Sequence, residues 1–428
     1  MKRLALLVCL ALPLCATAQW KDLKKLGQGG EAFVSTDGKG SIFVTSHQPS
    51  QLLVSRDWGA SFQEPFLFPD SMCDLHVIAN GSGQVNLIYI RNGVSGLVPW
   101  VSKDGWKTHE QGTVLEGPFD REWLAADPKT NTVHVAYSEG YIGGPASKGV
   151  FLASSKDGKL FNRASRVDNE PEGAYPVDPY LAIGTGGRLY GMWGTTTDRN
   201  TIARFGFSAS NDGGKTWTNQ QALTQLDPAQ GDTQERWMLG CLLAVGADTV
   251  YAFYPNYATV DVDGKPAKAL LVNFKVSTDG GKTFSSGRPA LNDGEIQEAI
   301  RSFRKSQKPG AAFDYYIQTL PWACTSPSGR VFLAFQDNRS GQRDVGGAML
   351  NVWHVRWAEL ADNAKGCDPS ERVSYDVACF RPPLDFLACA ADSKYGYVIW
   401  TETPDLNAGW VFTGDLMFGR RILGKRNL

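Results

Sequence analysis

The residues with the means to do chemistry are carboxylates set at intervals along the chain. Glu31, Asp74, Glu122, Asp178, Glu235, Gln318 and Asp385 each open an apolar or alternating segment, and six of these seven positions are acids. If those segments line one channel, their first residues converge on its mouth. A ring of like charge there raises carboxyl pKa values and draws cations. It would supply an acid/base pair, hold Ca²⁺ through oxygen ligands, or bind sugar hydroxyls. Glu122, Asp178 and Glu235 are the catalytic candidates. Arg236, Arg199 and Arg339 lie beside them or in loops after the second segment of a pair, and a guanidinium fork grips a carboxylate or sulfate bidentately. Trp123 and Trp322 offer stacking faces for sugar rings. Each position also has a plainer role: polarity at a strand start, a loop ion pair, or packing between sheets.

Other chemistries have no support. The five His residues form no His-Glu-x-x-His spacing, and no Gly-x-Ser-x-Gly elbow or phosphate-binding glycine loop is present. Asp261-Val262-Asp263-Gly264 resembles the start of a calcium loop. Its twelfth position is Val272, so a hairpin turn is the better reading.

The elements that must position these residues are repeats. Ser-x-Asp-x-Gly-x-Thr/Ser-Trp/Phe is intact at Ser55–Phe62, Ser210–Trp217 and Ser277–Phe284, and degenerate copies occupy Ser102–Thr108 and Ser155–Phe161. The Asp residues at 57, 104, 157, 212 and 279 are spaced widely enough for one four-stranded unit each. Within the phrase, Asp accepts backbone N–H groups, Gly supplies φ > 0, and the aromatic packs the hairpin down. In phase with it runs a strand–turn–strand pair: Glu31–Val34 with Ser41–Thr45, Asp74–Ile78 with Val85–Ile90, Glu122–Ala126 with Thr132–Tyr137, and Asp178–Ile183 with Arg188–Trp193. Three further pairs are Arg236–Val245 with Thr249–Tyr254, Gln318–Cys324 with Arg330–Phe335, and Asp385–Ala390 with Tyr395–Trp400. These pairs predict an all-β propeller of four-stranded blades, seven in number, with six as the alternative. Residues 291–308 are charged and hold one helical turn or two.

The N-terminus sets the compartment. Lys2-Arg3, an apolar run to Cys15, and Ala16-Thr17-Ala18 predict a signal peptide over residues 1–18 and a single propeller domain over 19–428. The protein is expected outside the cytoplasm, secreted or periplasmic, without a membrane span and as a monomer. A formal net charge of −1 argues against nucleic acid. Six cysteines lie beyond residue 18, and an oxidising compartment permits disulfides among them. Cys367 with Cys379, flanking a turn-rich insertion, is the favoured pair. Buried thiols are nearly as good a reading for Cys241 and Cys324.

Ser-x-Asp-Gly-Gly-Lys-Thr-Trp/Phe resembles the Asp box, or BNR repeat, of sialidase-like propellers. Arg121–Pro128 leading to Val133–Tyr137, and Phe335–Gly341, resemble their inner strand pairs. The resemblance implies the propeller fold with the boxes between the two outer strands of a blade, and a functional face on the opposite side. Catalytic sialidases of this group carry an Arg in a first-blade Phe/Tyr-Arg-Ile-Pro motif. The matching stretch here, Leu26–Phe33, has no Arg. Two function classes follow: an exo-glycosidase working through carboxylates at the channel mouth, and a non-catalytic propeller that binds a glycan, glycoconjugate or protein.

Overall fold

The structure, a computed structural model, describes residues 20, 22–93, 95–140, 146–196, 198, 201–230, 238–307, 314–361, 366–375, 377–379, 387–402 and 414–424. It is all-β, built from antiparallel strand pairs with one short parallel pairing, Ala269–Leu270 against Tyr316–Ile317. Phe119–Ala126, Val133–Glu139, Val150–Ser155 and Asn162–Arg166 form one four-stranded sheet, and Tyr175–Ile183, Leu189–Thr196, Ile202–Ser210 and Thr218–Gln225 form the next. Ser71–Ala79, Val85–Arg91 and Gly96–Ser102 follow the same plan, with two short strands sharing the fourth position. Every strand pair expected from the sequence is found as hydrogen-bonded neighbours.

One long strand closes the molecule. The first half of Asp22–Thr36 pairs with Gly414–Ile422 as the outer strand of the C-terminal sheet, and the second half pairs with Ile42–His47 as the inner strand of the N-terminal one. The innermost strands pack against one another in succession. Ala388–Ala391 touches both Tyr316–Thr325 and Asp22–Thr36, so the circuit is complete. This is a propeller arrangement, and it leaves no sheet edge open at the seam.

All five repeat phrases sit between a third and a fourth strand, as expected, and four of them share one hydrogen-bond pattern, the Ser155–Phe161 copy lacking a hydroxyl at its seventh position. In the second, Asp104 Oδ1 accepts from Ser102 Oγ (2.9 Å) and Thr108 N (2.9 Å), and Oδ2 from Thr108 Oγ1 (2.8 Å). Asp57, Asp212 and Asp279 repeat it atom for atom. These donors, led by the Thr108 N–H, hold the Asp104 carboxyl down to about 2. The degenerate copy keeps its turn even with Trp106 at φ 75°, a conformation that favours glycine.

The helix is longer than expected. Asp293–Ser306 is capped by Asn292, whose side chain accepts from Glu295 N (2.9 Å), and it buries Ile296, Ala299, Ile300 and Phe303 on one stripe. The stripe covers the hairpin of Thr249–Val262 and Lys265–Ser277.

Cys367 and Cys379 cannot be joined. Cys367 bridges to Leu360 and Cys379 pairs with Asn351, nine positions earlier on the same extended chain. At ~3.3 Å per residue that is ~30 Å, against at most ~7 Å between the Cα atoms of a disulfide.

Candidate functional site

The acids do not stand at strand starts. They lie inside the innermost strands, at bulges. The register slips between Gly30 and Phe33, Cys73 and His76, Asp120 and Trp123, Val177 and Tyr180, and Thr319 and Trp322. Each bulge holds one residue in the left-handed region: Glu31 (φ 45°), Asp74 (51°), Arg121 (54°), Asp178 (50°) and Leu320 (52°). A bulge re-aims side chains off the regular pleat, and strain of this kind clusters at functional sites. The positions that match across the sheets are therefore three acids, one arginine and one leucine. Glu122 follows Arg121, and Gln318 lies outside the set.

Among the described residues the acids are also buried and form no open ring. Glu31, Asp74, Glu122 and Asp178 are all 5% exposed or less. Asp74, Arg121, Glu122, Asp178, Trp123 and Tyr180 contribute to the lining of one small cavity of about 10 Å³, room for about one water molecule. Two neighbouring strands are aligned there by Leu124 N donating to His76 Nδ1 (3.3 Å). Asp74 and Glu122 each stand two residues before those partners. Burial pushes His76 down to about 3, so its ring is neutral and can accept.

Inside the cavity the two catalytic candidates have different surroundings. Arg121 Nε is 3.4 Å from Asp178 Oδ1, an ion pair with both side chains largely enclosed. Neither carboxyl oxygen of Glu122 has a hydrogen-bond partner. Burial first, then the charge of Asp74, drives the Glu122 pKa well above its ordinary value. A carboxyl raised in this way, beside a second one held in an ion pair, is the raw material of general-acid chemistry.

Trp123 and Trp322 are not stacking faces at the surface. They are 8% and 9% exposed and stack on each other at 4.7 Å. Phe33 meets both edge-on, with His76 stacked on Phe33 at 4.5 Å and Tyr180 edge-on to Trp123. These rings pack on one another beside the acids, which is the packing role.

Arg339 is no anion contact either. Its Nε donates to Asp337 Oδ2 (2.6 Å) and its NH2 to Glu295 Oε1 (3.0 Å), tying the helix to the sheet. Tyr316 also donates to Asp337 Oδ2 (2.9 Å), and Arg356 lies 3.9 Å from the same oxygen. Gln318 is consumed beside it, accepting from Val272 N and donating to the Tyr316 hydroxyl. Arg199, Glu235 and Arg236, with Asp385, lie outside the described residues. The residue that the sequence reading passed over is Arg121. Its role depends on the bulge, for which the sequence carries no signal. Among the described residues no three side chains gather as metal ligands, and no helix is long and apolar enough to cross a membrane.

No protein-family model and no curated protein matches the chain. Solved structures that superpose on it include a protein of unknown function from Dyadobacter fermentans DSM 18053 (15% identity, 94% of this chain and 98% of that one, TM-score 0.46). A Hadza microbial sialidase, Hz136, aligns at 12% identity over 90% of this chain and 73% of that one, with a TM-score of 0.46. An ulvan lyase of polysaccharide lyase family PL25 aligns at 10% identity over 94% and 96%, with a TM-score of 0.49.

Proposed function

We propose that this chain is a secreted, monomeric, seven-bladed sialidase-like Asp-box propeller that acts on glycans through the cavity at Glu122. The succession of innermost strands supports seven blades, and the basic, apolar and small-residue order of residues 1–18 supports export. The observation that carries the functional reading is Glu122: a buried carboxyl without a partner, beside Asp74, in a cavity that also holds the Arg121–Asp178 ion pair.

In this reading Glu122 keeps its proton at neutral pH and gives it to the leaving glycosidic oxygen. Asp178, oriented by Arg121, faces the positive charge that develops on the sugar ring or takes the proton of the attacking water. Glu235 and Arg236 remain candidates for the same face on sequence grounds.

Recognition without turnover is the second reading. The cavity favours it, because about 10 Å³ is far below the ~300–1,000 Å³ of ordinary ligand pockets, and Trp123 and Trp322 are stacked on each other beside it.

A panel of chromogenic exo-glycosides, run beside a glycan array with and without EDTA, tests both. Turnover of one glycoside makes the protein an enzyme. Binding alone makes it a recognition module, and EDTA sensitivity brings in Ca²⁺. Silence in both assays overturns the glycan reading in favour of a protein partner.

A further inference from the structure

Three buried thiols meet on three successive innermost strands. Cys241 lies in Cys241–Val245, Cys324 in Tyr316–Thr325 and Cys389 in Ala388–Ala391, and all are buried. Two of them flank one peptide group. Ala323 N donates to Cys241 Sγ (3.2 Å), and Cys389 Sγ donates to Trp322 O (3.2 Å). The N–H and C=O of a trans peptide point opposite ways, so Cys241 and Cys389 sit on opposite flanks of the central strand. Cys324 is two residues beyond Trp322 and therefore on the same face of that strand. It packs in the same core cluster as Cys389, whereas Cys241 belongs to another. Tyr316–Thr325 and Ala388–Ala391 pack side by side, and Cys324 lies close enough to raise the Cys389 thiol.

We propose that Cys324 and Cys389 form a disulfide that staples the innermost strands of two neighbouring sheets. Each thiol loses its proton, and one S–S bond forms. The two electrons pass to a disulfide-bearing oxidant, a thiol oxidoreductase or oxidised glutathione, which leaves as two thiols. Burial raises the Cys389 thiol far above the range in which it ionises, so the finished fold is unreactive. The bond forms during folding, before the sheets have closed over the sulfurs. Its position has a structural use. Ala388–Ala391 belongs to the sheet that the N-terminal strand completes, so the staple holds that sheet against its neighbour while the seam is still open.

The test is a peptide map. The full chain is denatured, reduced and refolded in a glutathione redox buffer. Free thiols are then alkylated, and the protein is digested without reductant for mass spectrometry. The expected result is one cross-linked pair containing Cys324 and Cys389, with two fewer alkylated thiols than in the reduced sample. The link persists in Cys367→Ala and disappears in Cys389→Ser. Natively refolded wild type with every thiol alkylated overturns the proposal, as does a Cys241–Cys324 link. The oxidant is supplied in the buffer, so a negative map counts against the bond and not against export.

Discussion

Replacing Glu122 by Gln should stabilise the protein, and increasingly so as pH rises. The native state holds the Glu122 carboxyl protonated well above its ordinary value, through burial and the neighbouring Asp74, while the unfolded chain releases that proton near the ordinary value of 4.5. A raised folded pKa contributes stability that is fully present below the unfolded pKa. That stability is lost as pH climbs towards the folded one. The loss is about 1.4 kcal/mol per pH unit in that window. Gln keeps the shape and carries no proton to lose. An unfolding entropy of ~2.1 cal/mol/K per residue, over a chain of this length, makes 1.4 kcal/mol worth roughly 1.5 °C in Tm. Melting temperatures of both proteins, taken at matched ionic strength from pH 4.5 to 8, should coincide at the acid end and diverge by roughly that amount per unit. A constant offset across the range would refute the argument, because it would mean that Glu122 ionises normally in the fold.

Other expectations follow from the same contacts. Arg339→Met leaves Asp337 buried with one cation fewer, and should cost about 3–5 kcal/mol in an equilibrium unfolding measurement. Because Arg339 ties the helix to the sheet, any glycan affinity of the folded variant should match wild type in a direct binding titration. Asp212→Asn removes a carboxylate held low by the backbone and side-chain groups of Thr216. The stability such a group gives is present above the unfolded carboxylate pKa and lost as pH falls, so the variant should melt below wild type at pH 7 and converge on it in acid. Trp322→Ala empties the ring stack beside the acids and should cost about 3–5 kcal/mol, measured by chemical denaturation.

What the sequence disclosed depended on how local the physics is. The repeat phrase closes its hydrogen bonds within about eight residues, so all five copies were legible, Trp106 in the glycine position included. Strand pairs were legible because alternation and turn residues are local too. The helix was not, because its charged residues hid a buried stripe that only the hairpin beneath explains. The site was half legible. Charge picked out Glu31, Asp74, Glu122 and Asp178, which the structure brings close together in its interior and not around an open mouth. Their depth and register are set by bulges, which arise between strands and leave no mark in composition, so Arg121 was missed and Gln318 included. Arg339 and the two tryptophans were read as surface groups because burial is a tertiary property. The Cys367–Cys379 pairing failed for a related reason. Nearness in sequence was taken for nearness in space, across a stretch of fully extended chain.

The most direct test of the account is turnover by Glu122→Gln beside wild type, on whichever glycoside wild type cleaves, with both proteins shown to be folded by circular dichroism. A buried carboxylic acid that protonates the leaving group predicts a loss of about 10²–10⁴-fold in kcat for the Gln variant. A folded Glu122→Gln protein that turns over the substrate at the wild-type rate would contradict it.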